Sequence, residues 1–212
     1  EILWFNSIVV VVSAGNYDPA AGYNPIRTAP ANDPFVIVVG AADEKGTANT
    51  GDDTLAGYSA AGITLDGIKK PDIIAPGTNI YGALSANSNW DEQYPERAAA
   101  GQYIRLSGTS VAAPVVAGAA ALLLQNEPEL TPDQVKHRLT TSIYMAFDLD
   151  GQSYPYLNAA AAAANGDTGS ANTGLTASQL LWSGDEPVTW GSVSWNSVSW
   201  NSVSWNSVYW GR

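Results

Sequence analysis

Short apolar runs, each closed by glycine, proline or asparagine, set the rhythm of the first half of the chain. Ile8-Val9-Val10-Val11-Val12 runs into Ser13-Ala14-Gly15-Asn16, and Phe35-Val36-Ile37-Val38-Val39 into Gly40-Ala41-Ala42. A weaker third run, Asp72-Ile73-Ile74-Ala75, stops at Pro76-Gly77. Runs this short, rich in β-branched residues and without alternation, predict strands covered on both faces, and such strands are usually parallel. Sheets of that kind carry their sites at the carboxyl ends of strands, and Asn16 stands at one of them.

The apolar pattern then changes to helical. The longest apolar run, Val111 to Leu124, has 14 residues and contains Pro114, Gly118 and six alanines. It falls short of the roughly 20 residues that span a bilayer. Ser110 to Gln125, small and apolar on every side, predicts a helix packed within the domain, with Pro114 in its first turn. Thr131-Pro132-Asp133-Gln134 has the form of a capping box with proline at the first helical position, opening a helix through about Thr140. Its apolar positions are sparse (Val135, Leu139), which predicts a surface helix. Asn158 caps six alanines, Ala159 to Ala164, a last short helix.

Residues 1–164 thus predict an α/β domain, a parallel sheet with helices on both faces. Residues 165–182, opening Asn165-Gly166-Asp167-Thr168-Gly169-Ser170, predict a linker by composition. In 183–212 the texture changes again: Trp190, Trp195, Trp200, Trp205 and Trp210 recur within Trp-Asn-Ser-Val-Ser repeats, with no charge from Pro187 to Gly211. Five helical steps do not return to one face, so the tail predicts an extended segment with aromatics on alternate sides. Such a segment is suited to stacking, to self-association or to adhesion at a cell surface.

Composition narrows the function. Of 212 residues, 45% are hydrophobic, enough for a real core, and 20 acids against 9 bases leave a net charge of −11. Without a basic stripe, nucleic-acid and anionic-membrane partners are not expected. The absence of cysteine excludes a disulfide framework, a thiolate metal site and a cysteine nucleophile. A chain that opens at Glu1 without a basic-then-apolar leader reads as processed or truncated. The acidic balance, with only four lysines, suits a secreted or cell-surface protein.

The chemistry concentrates in Leu106-Ser107-Gly108-Thr109-Ser110-Val111-Ala112-Ala113-Pro114. A glycine turn delivers Ser110 to the start of an apolar helix, where backbone N–H groups and the positive helix end face any oxyanion formed there. By itself such a serine is an ordinary helix cap. However, Gly-Thr-Ser-x-Ala-x-Pro-x-x-Ala-Gly resembles the nucleophile segment of subtilisin-family serine proteases. Val9 to Asn16 resembles the strand ending in that family's oxyanion-hole asparagine, and Pro71-Asp72-Ile73-Ile74-Ala75-Pro76-Gly77 its structural Pro-Asp-x-x-Ala-Pro-Gly segment. Order and spacing agree across residues 1 to about 164, with 94 residues from Asn16 to Ser110.

The resemblance implies a subtilisin-like fold and peptide-bond hydrolysis by Ser-His-Asp acyl transfer on polypeptide substrates, without an organic cofactor. Ser110 would be the nucleophile, with the Asn16 side-chain amide and the Ser110 N–H as oxyanion donors and Thr109 supporting them. Gly15, Tyr17, Thr28 and Thr109 fall on the substrate-binding surface, and Ala29-Pro30 falls where the family commonly has a cis peptide. Tyr17 would favour apolar or aromatic substrate side chains. The family often braces loops with calcium, and Asp43, Glu44, Asp52 and Asp53 cluster in a glycine-rich loop. They lack an ordered calcium-loop spacing, so no metal ligand is assigned. Asp148 and Asp150 before Gly151 predict a turn.

The departure is as informative. The family's aspartate and His-Gly-Thr-His segments, which precede the oxyanion asparagine, are absent, and the single histidine, His137, is expected to be a solvated surface residue. Without a base a serine hydroxyl is barely nucleophilic at neutral pH. The expectation is therefore the carboxyl-terminal half of a peptidase domain, inactive alone and completed by an upstream segment. The alternative is a non-catalytic relative that binds surfaces through its aromatic tail.

Overall fold

The computed structural model describes residues 1–18, 20, 24–100, 102–148 and 150–177; the tryptophan repeats of 183–212 lie outside the described residues. In chain order the elements are α1 (Ile2–Phe5), β1 (Val11–Ser13), β2 (Ile37–Asp43), β3 (Thr54–Leu55), β4 (Gly62–Ile63), β5 (Lys69–Lys70), β6 (Ile73–Pro76) and β7 (Ile80–Ala83). Then come α2 (Asn89–Gln93), β8 (Ala98–Ala99), β9 (Tyr103–Leu106), α3 (Thr109–Asn126), α4 (Pro132–Thr141), β10 (Ile143–Phe147), β11 (Ser153–Leu157) and α5 (Ala159–Ala164).

The three apolar runs pair in parallel, as their continuous hydrophobicity requires: Val11 lies opposite Ile37, and Val39 opposite Ile73. The sheet is not wholly parallel. Beyond β6, β11 is parallel to it and turns back antiparallel into β10, while β3 crosses the end of β2 antiparallel. Ile37, Val39, Ala41, Ile73 and Ala75 pack with Ala112, Val116 and Leu123 of α3, Val135 and Leu139 of α4, and Ala162 of α5. The opposite face, with Val36 and Val38, is covered by Ile26, Ala31 and Ala60. These belong to a 3-10 turn and loops, so the three longer helices share one face of the sheet.

Two helices differ from their expected environment. α3 buries Ala112, Val116, Ala119, Ala120 and Leu123 against the sheet but leaves Val115 and Leu122 36% and 56% exposed. It is therefore half covered, not enclosed. It is long and apolar enough to cross a membrane by length and composition, but its buried side belongs to the core. Pro114 sits in its second turn, where the missing N–H leaves the Ser110 carbonyl without its usual donor.

α4 has the expected capping box, Thr131 N–H reaching the Gln134 side chain at 2.9 Å. It is nevertheless buried, because its cations are paired inside. Lys136 donates to the carbonyls of Pro34 (2.8 Å) and Val36 (2.9 Å) and meets Asp72 at 3.2 Å. Lys70, fully buried, takes the other Asp72 oxygen at 2.8 Å. Arg138, 1% exposed, pairs with Glu127 at the end of α3.

Residues 165–177, read from composition as a linker, are strapped to α4. Arg138 Nε donates to the Asp167 carbonyl at 2.7 Å, Asn172 Nδ2 to Asp133 at 2.8 Å, and Ala177 packs on the core. Asp167 accepts through its main chain, and Asn172 donates through its side chain.

Burial pulls the Lys136 ammonium down to about 8, with Lys70 adding to the effect and Asp72 opposing it. An unfolded lysine titrates near 10.5, so between these values the unfolded chain holds more protons and stability rises with pH. From pH 8 to 9.5 this amounts to about 1.5 kcal/mol. Urea unfolding should show that gain in the native sequence and lose it in Lys136→Met; parallel pH curves for the two would disprove the assignment.

Candidate active site

The turn that carries Ser110 is assembled from three strand ends. β9 delivers Ser107 and Gly108 directly into α3, and Gly108 N–H donates to the Gly77 carbonyl, just past β6, at 2.9 Å. β1 ends at Ser13, and Gly15 and Asn16 emerge beside the start of α3. Gly15 has φ +94°, and a Cβ there would overlap the Pro25 ring, so no other residue fits the turn. Residues 58–60 clasp it from the other side. Ala60 N–H reaches the Gly15 carbonyl at 2.9 Å, and Tyr17 N–H reaches the Tyr58 carbonyl at 2.6 Å.

Asn16 is oriented by Thr109. Its Oδ1 accepts both the Thr109 backbone N–H (3.0 Å) and the Thr109 hydroxyl (3.1 Å), while that hydroxyl accepts the Gly15 N–H at 3.1 Å. Because a backbone N–H can only donate, the atom facing it is the amide oxygen, and Nδ2 is left to point away. At Gly108, φ +155°, a Cβ would stand 3.3 Å from both Asn16 Nδ2 and Ser110 Oγ. The glycine thus keeps open the space that those two groups border. Ser110 is exposed, Thr109 is 1% exposed, and the Ser110 N–H has no hydrogen-bond partner among the described residues. The arrangement offers a hydroxyl beside two preorganised donors, as stabilisation of a tetrahedral oxyanion requires.

The other expected residues are placed less centrally. Tyr17 is 39% exposed beside Asn16, and Thr28 caps the turn of Pro25–Arg27 by donating to the Pro25 carbonyl at 2.8 Å. The Ala29–Pro30 peptide is cis. His137 is not free in solvent: its Nε2 lies 3.1 Å from Asp167, and the ring rests on Gly169 in the strap behind α4. Among the described residues no base contacts Ser110. In the acidic loop, Asp43 is held by Lys45 at 2.8 Å and Asp52 by the Thr47 hydroxyl at 2.9 Å. No three acids or histidines there converge as a metal cluster among the described residues. Asp148 closes its turn by accepting the N–H groups of Asp150 and Gln152.

Tyr58 and Ser107 escaped the sequence reading. Tyr58 donates its hydroxyl to the Gly77 carbonyl at 2.8 Å, next to the bond from Gly108, and the Ser107 hydroxyl accepts the Asn79 N–H at 2.8 Å. No motif marks Tyr58; its role depends on strands that meet only in the fold.

The Subtilase family model matches residues 5–179. The chain belongs to the subtilase family. This subtilase is 45% identical over 139 residues to Serine protease AprX of Bacillus subtilis strain 168, covering 66% of the chain and 31% of that protein. It is 35% identical over 137 residues to Subtilisin DY of Bacillus licheniformis, covering 65% of the chain and 40% of that protein. Among solved structures it resembles fervidolysin from Fervidobacterium pennivorans, a keratinolytic enzyme related to subtilisin. That match has a TM-score of 0.57 and 30% identity over 75% of the chain and 23% of fervidolysin. The chain spans between about a third and two fifths of the curated relatives' length.

If the Gly15 turn positions Asn16, Gly15→Ala should cost about 2–4 kcal/mol through strain and overlap with Pro25. Chemical denaturation measures it; a loss below about 0.5 kcal/mol would mean that the turn adapts.

Proposed function

We propose that this chain supplies the nucleophile and oxyanion site of a subtilisin-type serine endopeptidase, acting outside the cell on polypeptides. The observation that carries the reading is the Asn16–Thr109–Ser110 geometry. The Ser110 hydroxyl attacks the scissile carbonyl, and the resulting oxyanion is received by Asn16 Nδ2 and the Ser110 N–H. Thr109 touches no substrate in this scheme; it fixes which end of the Asn16 amide is presented.

The proton acceptor and its aspartate come, in this reading, from a segment upstream of the chain. Two observations support that. The one histidine is engaged by Asp167. The outward side of α3 is an exposed small and apolar stripe, Pro114, Val115, Gly118, Ala121 and Leu122, continuous with Ser110. A covering segment packed along that stripe would bring a base to the hydroxyl and bury the apolar surface together. Calcium bracing of the acidic loop is not required by this scheme.

A fluorophosphonate that labels activated serines tests the proposal. The chain alone should label no faster than its Ser110→Ala variant. The same chain carrying an upstream aspartate and histidine segment should label and hydrolyse casein. In that active form Asn16→Ala should lower kcat about 100- to 1,000-fold, and Ser110→Ala should abolish turnover. Turnover surviving in Ser110→Ala would overturn the nucleophile assignment.

A further inference from the structure

β7 is an edge strand, and its first two residues, Ile80 and Tyr81, line a groove. The ribbon order is β7-β9-β8, with Tyr81 opposite Arg105 and Ala83 opposite Tyr103. Leu84 N–H donates to the Gln102 carbonyl at 2.9 Å, one step beyond the last of those pairs. Backbone groups in a strand alternate sides, so Gly82 and Ile80 also turn toward β9, and Tyr81 and Ala83 turn their N–H and carbonyl groups outward. Among the described residues these outward groups have no partner. The strand therefore presents two donors and two acceptors spaced to continue a sheet.

The space beside that edge is a groove of about 610 Å³, lined on one wall by Thr78, Asn79, Ile80 and Tyr81. Asp43 to Thr47 form the opposite wall. Charge on that wall is unbalanced. Lys45 is taken up by Asp43 at 2.8 Å, whereas the Glu44 carboxylate has no hydrogen-bond or ionic partner among the described residues. Burial lifts the Glu44 carboxyl above its usual range, with Asp53 and then Asp43 adding to it. Asp53 is itself 6% exposed, and one of its oxygens has no partner. Arg105, a cation on β9, stands directly opposite Tyr81. One end of the groove is tied to the nucleophile turn, because Asn79 N–H donates to the Ser107 hydroxyl.

We propose that this groove binds an extended, lysine- or arginine-bearing stretch of polypeptide as an added strand on β7, with Glu44 opposite its cationic side chains. Main-chain hydrogen bonds to Tyr81 and Ala83 give the affinity, and the acidic wall selects the charge. The stretch belongs to a polypeptide held at Ser110, so the proposal extends the protease reading to a binding surface outside the oxyanion site. Basic segments would be retained there while neighbouring bonds are presented to the serine.

Fluorescence anisotropy on the full chain carrying Ser110→Ala reads binding without catalysis, so a failure of the protease reading leaves this measurement intact. The probes are a labelled alternating valine–lysine peptide of about ten residues, its valine–glutamate counterpart, and two valine–lysine versions N-methylated at every valine or at every lysine. The valine–lysine peptide should bind, and the glutamate peptide at least about tenfold more weakly. One methylated version, but not both, should lose about tenfold, because alternate residues face the edge. Glu44→Gln should weaken the lysine peptide about threefold, an effect that salt erodes. Equal binding of the two charge forms, no loss with either methylated peptide, or no saturation by about 1 mM would overturn the proposal.

Discussion

The turn that carries Ser110 depends on one joint, the double hydrogen bond from Thr109 to Asn16 Oδ1 across 93 residues of chain. Each bond is worth only about 1 kcal/mol of stability. Their larger consequence is orientation. An asparagine amide can present either end, and only the NH₂ end stabilises an oxyanion. Two donors on one oxygen decide the matter, and the buried Thr109 hydroxyl, also accepting the Gly15 N–H, couples the Asn16 turn to the first turn of α3. Gly15 and Gly108 are glycines for the same reason: Pro25 crowds one, and the amide and hydroxyl pair border the other.

The main strands and helix caps were legible in the sequence because each is decided locally. Ile37-Val38-Val39 has to be covered wherever it lies, and Thr131 and Gln134 are three residues apart. What stayed hidden depends on partners far along the chain. α4 read as a surface helix because its apolar positions, Val135 and Leu139, are sparse, yet Lys136 is satisfied by carbonyls about a hundred residues away at Pro34 and Val36. The β10–β11 hairpin was missed although Tyr154 and Tyr156 alternate inward and Asp148 to Gly151 make a turn; the aromatic runs on either side are short and broken by Pro155. Thr109 was legible as part of a motif, but its action on Asn16 was not, since a hydroxyl's partner is set by tertiary approach.

The exposed stripe of α3 bears on the proposal that the base comes from a separate segment. A helix this apolar, with Leu122 more than half exposed, presents hydrophobic surface that no other described residue covers. Pro114 adds to the asymmetry, because its ring removes one donor, the one that would reach the Ser110 carbonyl. Ser110 therefore lies at one end of an exposed apolar stripe. If the base arrives on the segment that covers this stripe, burial of the stripe and activation of Ser110 become one event. An uncovered chain would then hold a formed oxyanion site with an unactivated hydroxyl. The oxyanion donors are set by contacts within the chain, so they would be ready before the base is present, and catalytic power would follow the packing of α3.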